Sequence, residues 1–128
     1  MLIRVDAAAG TPPYEQVRAQ IAALVRSGSL PVGTRLPTVR KLAEDLGLAV
    51  NTVARSYKEL EADGVIETRG RHGTFVAAVT DAQQGAVEAA AIYVERVRRL
   101  GIGDEEAIRH IAAALDAGPG TKPMPSIE

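Results

Sequence analysis

The 128-residue chain has no cysteine, one phenylalanine and three tyrosines. Without cysteine there is neither a disulfide framework nor thiolate chemistry. Aromatic residues make up only 3%, so alanine, valine, isoleucine and leucine must fill whatever core forms. No apolar run approaches the roughly 18 residues that a membrane span needs. The opening MLIRVDAAAG lacks the long apolar centre of a secretory signal. A cytoplasmic protein with no membrane partner is expected. The two histidines, His72 and His110, lie far apart. No Cys/His set has metal-ligand spacing, and no glycine-rich loop follows a strand to cradle nucleotide phosphates. Glu105 and Glu106 sit at a helix start, where the dipole explains them. Metal, cofactor and enzymatic chemistry are therefore not expected.

Strong net charge is also missing, the formal total being −1. It is unevenly spread, however. Residues 1–79 carry ten Lys/Arg against eight Asp/Glu, a net of +2, and residues 80–128 carry five against eight, a net of −3. That division suits a mildly basic DNA-facing part and an acidic part turned away from DNA.

What is present is concentrated in residues 36–76, LPTVRKLAEDLGLAVNTVARSYKELEADGVIETRGRHGTFV. Thr38 is a good N-cap for a helix over residues 39–46, with Val39, Leu42, Ala43 and Leu46 inward. Gly47, Leu48 and Ala49 then leave room only for a tight turn, which forces the steep crossing of a helix-turn-helix. A second helix over about 50–63 places Val50, Val53, Tyr57 and Leu60 inside, with Asn51, Thr52, Arg55, Ser56 and Glu59 outside. Gly64 suits a left-handed stop. Residues 65–69 and 74–78 read as strands joined by Gly70, Arg71, His72 and Gly73, a basic-tipped wing. Before this module, Pro12 and Pro13 open a helix whose apolar stripe is Tyr14, Val17, Ile21, Leu24 and Val25, and Gly28 ends it. Residues 29–35 read as loop, Leu36 as a core plug, and residues 2–5 as a short strand.

The charges of the two central helices are reversed relative to the dipole preference for acids first and bases last. Arg40 and Lys41 precede Glu44 and Asp45, and Arg55 precedes Glu59, Glu61 and Asp63. Each inversion costs about 0.3–1 kcal/mol at a surface. Two adjacent helices breaking the same rule point to a functional site. Bare N–H groups and cations at both helix starts suit a phosphate backbone. The second of these helices, roughly 20 Å long, fits the major groove. There Asn51 can pair with adenine, Thr52 can meet a phosphate or a thymine methyl, and Arg55 can meet guanine or phosphate. Ser56 is small enough to allow close approach. Arg69, Arg71 and His72 on the wing can follow phosphates or enter the minor groove. The bland alternatives are helix-start hydrogen bonding for Asn51 and Thr52 and a solvated hairpin tip for the wing.

The chain from Pro13 to Val76 resembles the GntR family of bacterial transcription regulators. The likeness rests on Pro13-Tyr14, Gly28-x-Leu30-x-x-Gly33, Leu36-Pro37-Thr38-Val39-Arg40-x-Leu42-Ala43, Asn51-Thr52-Val53, Leu60-Glu61-x-x-Gly64-Val65-Ile66 and Gly73-Thr74-Phe75-Val76. Asn51-Thr52-Val53 with Tyr57, and the short helical pair around Tyr93-Val94 and Asp104-Glu105-Glu106-Ala107, look most like the YtrA subfamily. The resemblance implies a repressor-like homodimer on a double-stranded, inverted-repeat operator, with Arg40, Thr38, Asn51, Thr52 and the glycine-rich wing touching DNA. It also implies control of transporter operons, as is frequent in that subfamily. The chain departs from the pattern at Ala49, where many relatives carry a capping Ser or Thr. It departs again at Val50 and Ala54, where many carry arginine, so an operator sequence does not carry over.

Residues 80–128 read as two further helices and a tail. Ala86, Ala90, Tyr93, Val97 and Leu100 make one apolar line on the first, and Val87, Ala91 and Val94 make a second. Ala107, Ile108, Ile111, Ala112 and Leu115 line the other helix. Such wide stripes mark an association surface, and a two-fold homodimer is expected, with Val87, Ala90, Ala91, Tyr93, Val94, Val97, Ile108, Ile111 and Leu115 in its interface. The alternative is that these helices fold back on the first domain. Two helices cannot enclose a ligand pocket of about 300–1,000 Å³, so no large sensor domain is expected. A small-molecule effector is left to a cleft between protomers or domains, with no residue cluster to mark one. His110, beside the apolar stripe, reads as structural or dimer-facing.

The architecture expected is mainly α with a small β-hairpin. A winged helix-turn-helix DNA-binding domain spans residues 1–79, a two-helix dimerisation region spans 80–117, and a disordered tail spans 118–128. The competing function is a winged helix that binds protein without specific DNA contact. Such a module carries apolar anchors on its outer face, whereas this one has Arg40, Asn51 and Arg55 there.

Overall fold

Proline at the first helical turn and an apolar stripe at three- and four-residue spacing start α1 at Pro13–Arg26. The computed structural model, which describes residues 1–117, continues with α2 (Val39–Leu46), α3 (Val50–Ala62), strand β1 (Ile66–Thr68), a single 3₁₀ turn (Gly70–His72), strand β2 (Thr74–Val76), α4 (Asp81–Arg99) and α5 (Asp104–Ala117). This is the expected mainly helical winged helix-turn-helix with a two-stranded antiparallel sheet. The tail expected over 118–128 lies outside the described residues.

The chain divides into two compact units, Met1–Val87 and Glu88 onward, and the division falls within α4. In the first unit α1 and α2 both pack on α3. Val17, Ile21, Leu42, Ala43, Val53, Tyr57, Leu60, Ile66 and Val76 form the core, with Leu36 plugging it as expected. The Thr38 hydroxyl accepts from the Lys41 N–H at 3.1 Å and caps α2. Gly47, at φ +67°, ends α2. Its N–H donates to Glu44 O at 3.3 Å and the Leu48 N–H to Ala43 O at 2.9 Å, the paired bonds of a Schellman stop. That stop is what lets α3 begin three residues later.

β1 and β2 pair in register Ile66↔Val76, Glu67↔Phe75 and Thr68↔Thr74. These strands are shorter than the sequence suggests, although Arg69 N–H to Gly73 O at 2.8 Å and Ala77 N–H to Val65 O at 3.0 Å extend the ladder at both ends. The preceding loop supplies a third line of pairing. Leu36 N–H reaches Thr74 O at 2.8 Å, Val76 N–H reaches Thr34 O at 2.9 Å, and Arg35 bridges Phe75.

Three expectations are corrected. Residues 2–5 are not a strand: Arg4 N–H donates to Gln20 Oε1 at 3.0 Å and Gln20 Nε2 donates back to Arg4 O. A glutamine amide on α1 thus satisfies the backbone that a second strand would have paired, and Ile3 is buried beside it. Val50 is not an inner-face residue but stands 45% exposed, because at the first position of α3 it precedes the stretch covered by α1 and α2. Ser56 does not point outward; it is wholly buried against α1.

In the second unit Val97 and Ala107 are buried. The Tyr93 hydroxyl donates to Ala107 O at 2.8 Å and joins α4 to α5. These residues, with Val94, Ile108 and Ile111, line an open apolar groove of about 240 Å³.

Candidate nucleic-acid interface

Helical spacing places Asn51, Arg55 and Lys58 on one face of α3, four and then three residues apart. Together with Ala54 they line a shallow groove of about 250 Å³. Asn51, Arg55 and Lys58 are exposed and Thr52 is half-buried. Ala49 makes no side-chain cap, so the first N–H groups of α3 lack a side-chain acceptor from that position. Neither α2 nor α3 has an acid in its first turn. The partial positive charge of both helix starts is therefore left unopposed, which favours an anion in front of them.

The cations on this surface fall into two groups. Lys41 pairs with Asp45 at 3.1 Å, Arg55 with Glu59 at 3.3 Å and Arg69 with Glu67 at 2.8 Å. Arg40, Lys58 and Arg71 make no ion pair among the described residues, and all three are exposed. The Lys41 pair is exposed on both sides and such a pair is worth about 0–1 kcal/mol, so a phosphate can displace it. Thr38 has spent one acceptor position on its cap, and its O–H remains able to donate.

The wing is built on a glycine. Gly73 sits at φ +113°, and a Cβ there would lie 2.8 Å from Arg35 Nε. Only glycine both adopts that backbone and lets the Arg35 guanidinium cross it. Beside it the Arg69 guanidinium lies 4.4 Å over the Phe75 ring. Arg71 and His72 occupy the exposed 3₁₀ turn. Sequence reasoning missed Arg35 and Lys58. Helical spacing from Asn51 and Arg55 signals Lys58. Nothing in the loop's periodicity signals Arg35, which is placed by backbone pairing with β2.

Ser56 donates its hydroxyl to the Tyr14 carbonyl at 2.7 Å. It therefore binds α1 rather than contributing to the outer face. Above it the Arg55 guanidinium stacks 3.7 Å over the Tyr14 ring. Arg18 hydrogen-bonds Glu15 at 2.8 Å, which holds the Glu15 carboxyl below its ordinary range and raises Arg18. On the inner side the Tyr57 hydroxyl donates to Pro37 O at 2.6 Å, and burial pushes its phenol up to about 12.

Of the residues expected at a dimer interface, Val87 is half-buried and packs on the Gly33 loop of the first unit. Ala90, Ala91, Val94, Ile108, Ile111 and Leu115 are exposed, Tyr93 is half-buried and Val97 is buried. His110 lies 3.3 Å from Glu106, one turn earlier on α5.

A helix-turn-helix with a basic wing and a polar, cation-bearing outer helix defines a DNA-binding transcription regulator. The chain belongs to the GntR family, whose model, "Bacterial regulatory proteins, gntR family", matches residues 13–76. It is 47% identical over 114 residues to the HTH-type transcriptional regulator Rv1152 of Mycobacterium tuberculosis, covering 89% of this chain and 94% of that one. To the HTH-type transcriptional repressor YtrA of Bacillus subtilis it is 41% identical over 75 residues, covering 59% and 58%. Among solved structures it is similar to YtrA from Sulfolobus acidocaldarius, a GntR-family transcription factor, with TM-score 0.59 and 29% identity over 80% of this chain and 100% of that one. The YtrA-like assignment follows from these relatives, and the family is one of transcription regulators rather than enzymes. No helix among the described residues is long and apolar enough to cross a membrane.

Proposed function

We propose that this GntR-family regulator acts as a cytoplasmic repressor, binding an inverted-repeat DNA operator as a homodimer. The observation that carries the DNA reading is the outer face of α3. It exposes Asn51, Arg55 and Lys58 around the small Ala54, with Arg40 and Arg71, which make no ion pair among the described residues, on neighbouring elements. Asn51 and Arg55 read base edges. Thr38, Arg40, Lys41, Thr52 and Lys58 meet phosphates, and Arg35, Arg69, Arg71, His72 and Gly73 form the wing contact. Exposed apolar residues on α4 and α5, among them Ile108, Ile111 and Leu115, support association of two copies through the C-terminal unit. The similarity to a protein named as a repressor supports the direction of control. A two-fold dimer sets the half-sites about one DNA turn, or a multiple of it, apart.

Selection of binding sites from random duplexes at two salt concentrations tests this reading. An enriched inverted repeat, together with a dimer in sedimentation, is the expected result. A single half-site with a monomer would overturn the dimer. No enrichment of any sequence would overturn specific recognition in favour of a protein-binding winged helix.

A further inference from the structure

On an exposed helix a free arginine sweeps many rotamers and pairs with whatever phosphate comes near. Arg55 is not free in this sense. One face of its guanidinium lies on the Tyr14 ring, 3.7 Å from the centroid. Its Nε donates to Glu59 Oε2 at 3.3 Å. Glu59 is in turn 4.0 Å from Arg18 Nε through its other oxygen, and Arg18 is fixed by Glu15 at 2.8 Å. The Tyr14 backbone is anchored to α3 by a bond that leaves its side chain unused, the 2.7 Å contact from the buried Ser56 hydroxyl to the Tyr14 carbonyl. What remains open is the edge bearing the two Nη groups, which make no hydrogen bond among the described residues. That edge is a planar fork, and the groove beside it is lined by Asn51 and Lys58 with only the methyl of Ala54 between.

We propose that Tyr14 and Glu59 are positioning residues that hold Arg55 as a preset fork for the N7/O6 edge of one guanine, so that α1 governs base selectivity read by α3. This rests on α3 being the recognition helix. A fork fixed before binding loses little freedom on meeting its base, and it cannot swing to a neighbouring phosphate. Lys58, a flexible point charge with no ion pair among the described residues, takes the phosphate instead.

The test uses the full chain and the operator it selects. Affinities are measured on that operator and on its single-base variants at two salt concentrations, alongside thermal melts. Arg55→Ala is expected to lose about tenfold or more on the operator and to become indifferent at one G·C pair. Tyr14→Leu is expected to lose selectivity at that same pair with the salt dependence unchanged, and Tyr14→Phe, which keeps the ring, to restore it. Glu59→Ala is expected to lose the same selectivity while binding random duplex more tightly, because an acid beside the phosphates is gone. Unchanged selectivity in Tyr14→Leu overturns the proposal. So does a loss shared equally by Tyr14→Phe and matched by a lowered melting temperature, which would make Tyr14 a packing residue. If Asn51→Ala changes base preference and Arg55→Ala does not, the recognition helix stands and the fork falls. If the unaltered protein selects no sequence, both fall together.

Discussion

In the N-terminal unit Val17, Ile21, Val53, Leu60 and Val76 are wholly buried, whereas on the C-terminal helices Ile92, Leu100, Ile108 and Leu115 stand 61–76% exposed. Burial of such a side chain contributes about 1.5–3 kcal/mol, so the first unit is stabilised by its own core and the second leaves that gain unused. The helices differ in the opposite sense. Helix α4 follows the dipole rule at both ends, with Asp81 in its first turn and Arg96, Arg98 and Arg99 in its last, and α5 follows it at its start with Asp104, Glu105 and Glu106. Thr80 and Gln83 add a reciprocal capping box at the start of α4, with Gln83 N–H to Thr80 Oγ1 at 3.1 Å and Thr80 N–H to Gln83 Oε1 at 3.3 Å. Helices α2 and α3 break the rule. In α2 and α3, held by tertiary packing, the charges are released from the dipole preference. Where packing is thin, local devices hold the helix and its apolar face is what remains for a partner.

The largest effect that could break this contrast is a pair of truncations. Leu60→Ala empties the centre of the N-terminal core and is expected to cost about 2–5 kcal/mol in denaturant unfolding. Leu115→Ala, at a 76% exposed site, is expected to move unfolding of the dilute protein by less than about 0.5 kcal/mol while weakening self-association in sedimentation. Equal destabilisation by both, with association unchanged, would mean that the C-terminal face is already packed in a single chain.

A smaller effect probes the N-terminal core through a proton. Tyr57 is raised from 10.0 to about 12 by burial, so folding favours its neutral form. The stability this represents is fully present below the unfolded value near 10 and is lost as pH rises through about 12. A displacement of that size corresponds to roughly 2–3 kcal/mol. Alkaline titration of phenolate absorbance is expected to show one of the three tyrosines ionising late, together with unfolding. In Tyr57→Phe that late step is expected to vanish. If it persists, the late phenol is another tyrosine.

Much of this contrast was legible in the sequence. The three-residue gap at Gly47, Leu48 and Ala49, the Thr38 cap and the reversed charges of α2 and α3 were enough to define the helix-turn-helix. Periodicity failed where a residue's fate depends on what lies opposite. Ser56 is polar and sits between Arg55 and Tyr57, and only the arrival of the Tyr14 carbonyl at 2.7 Å decides that it is buried. Residues 2–5 have strand-like composition, yet Gln16 and Gln20 on α1 take the backbone bonds a neighbouring strand would have used. Arg35 reads as loop because its pairing with Phe75 spans forty residues of chain, a separation no local pattern encodes. The polar outer face of α3 was visible because it is local to one helix. The wing's dependence on Arg35 and Gly73 was hidden because it is not.

The smallest effects sharpen the comparison from within the N-terminal unit. If that unit is held by its core, editing its caps should shift it only slightly. Thr38→Ala removes the acceptor for the Lys41 N–H and is expected to cost about 0.5–2 kcal/mol. Ala49→Ser should do the reverse. Ala49 already has the extended backbone of an N-cap, at φ −66° and ψ 146°, and lacks only the oxygen. A serine hydroxyl there can accept from the Asn51 or Thr52 N–H and is expected to add about 0.5–1 kcal/mol in denaturant unfolding. The same change occupies a donor at the start of α3, where a phosphate is proposed to sit. Greater stability with weaker, less salt-dependent DNA binding would show that the bare terminus serves the ligand. A gain in both would show that its emptiness serves nothing, and that the N–H groups of α3 do not meet the backbone of DNA.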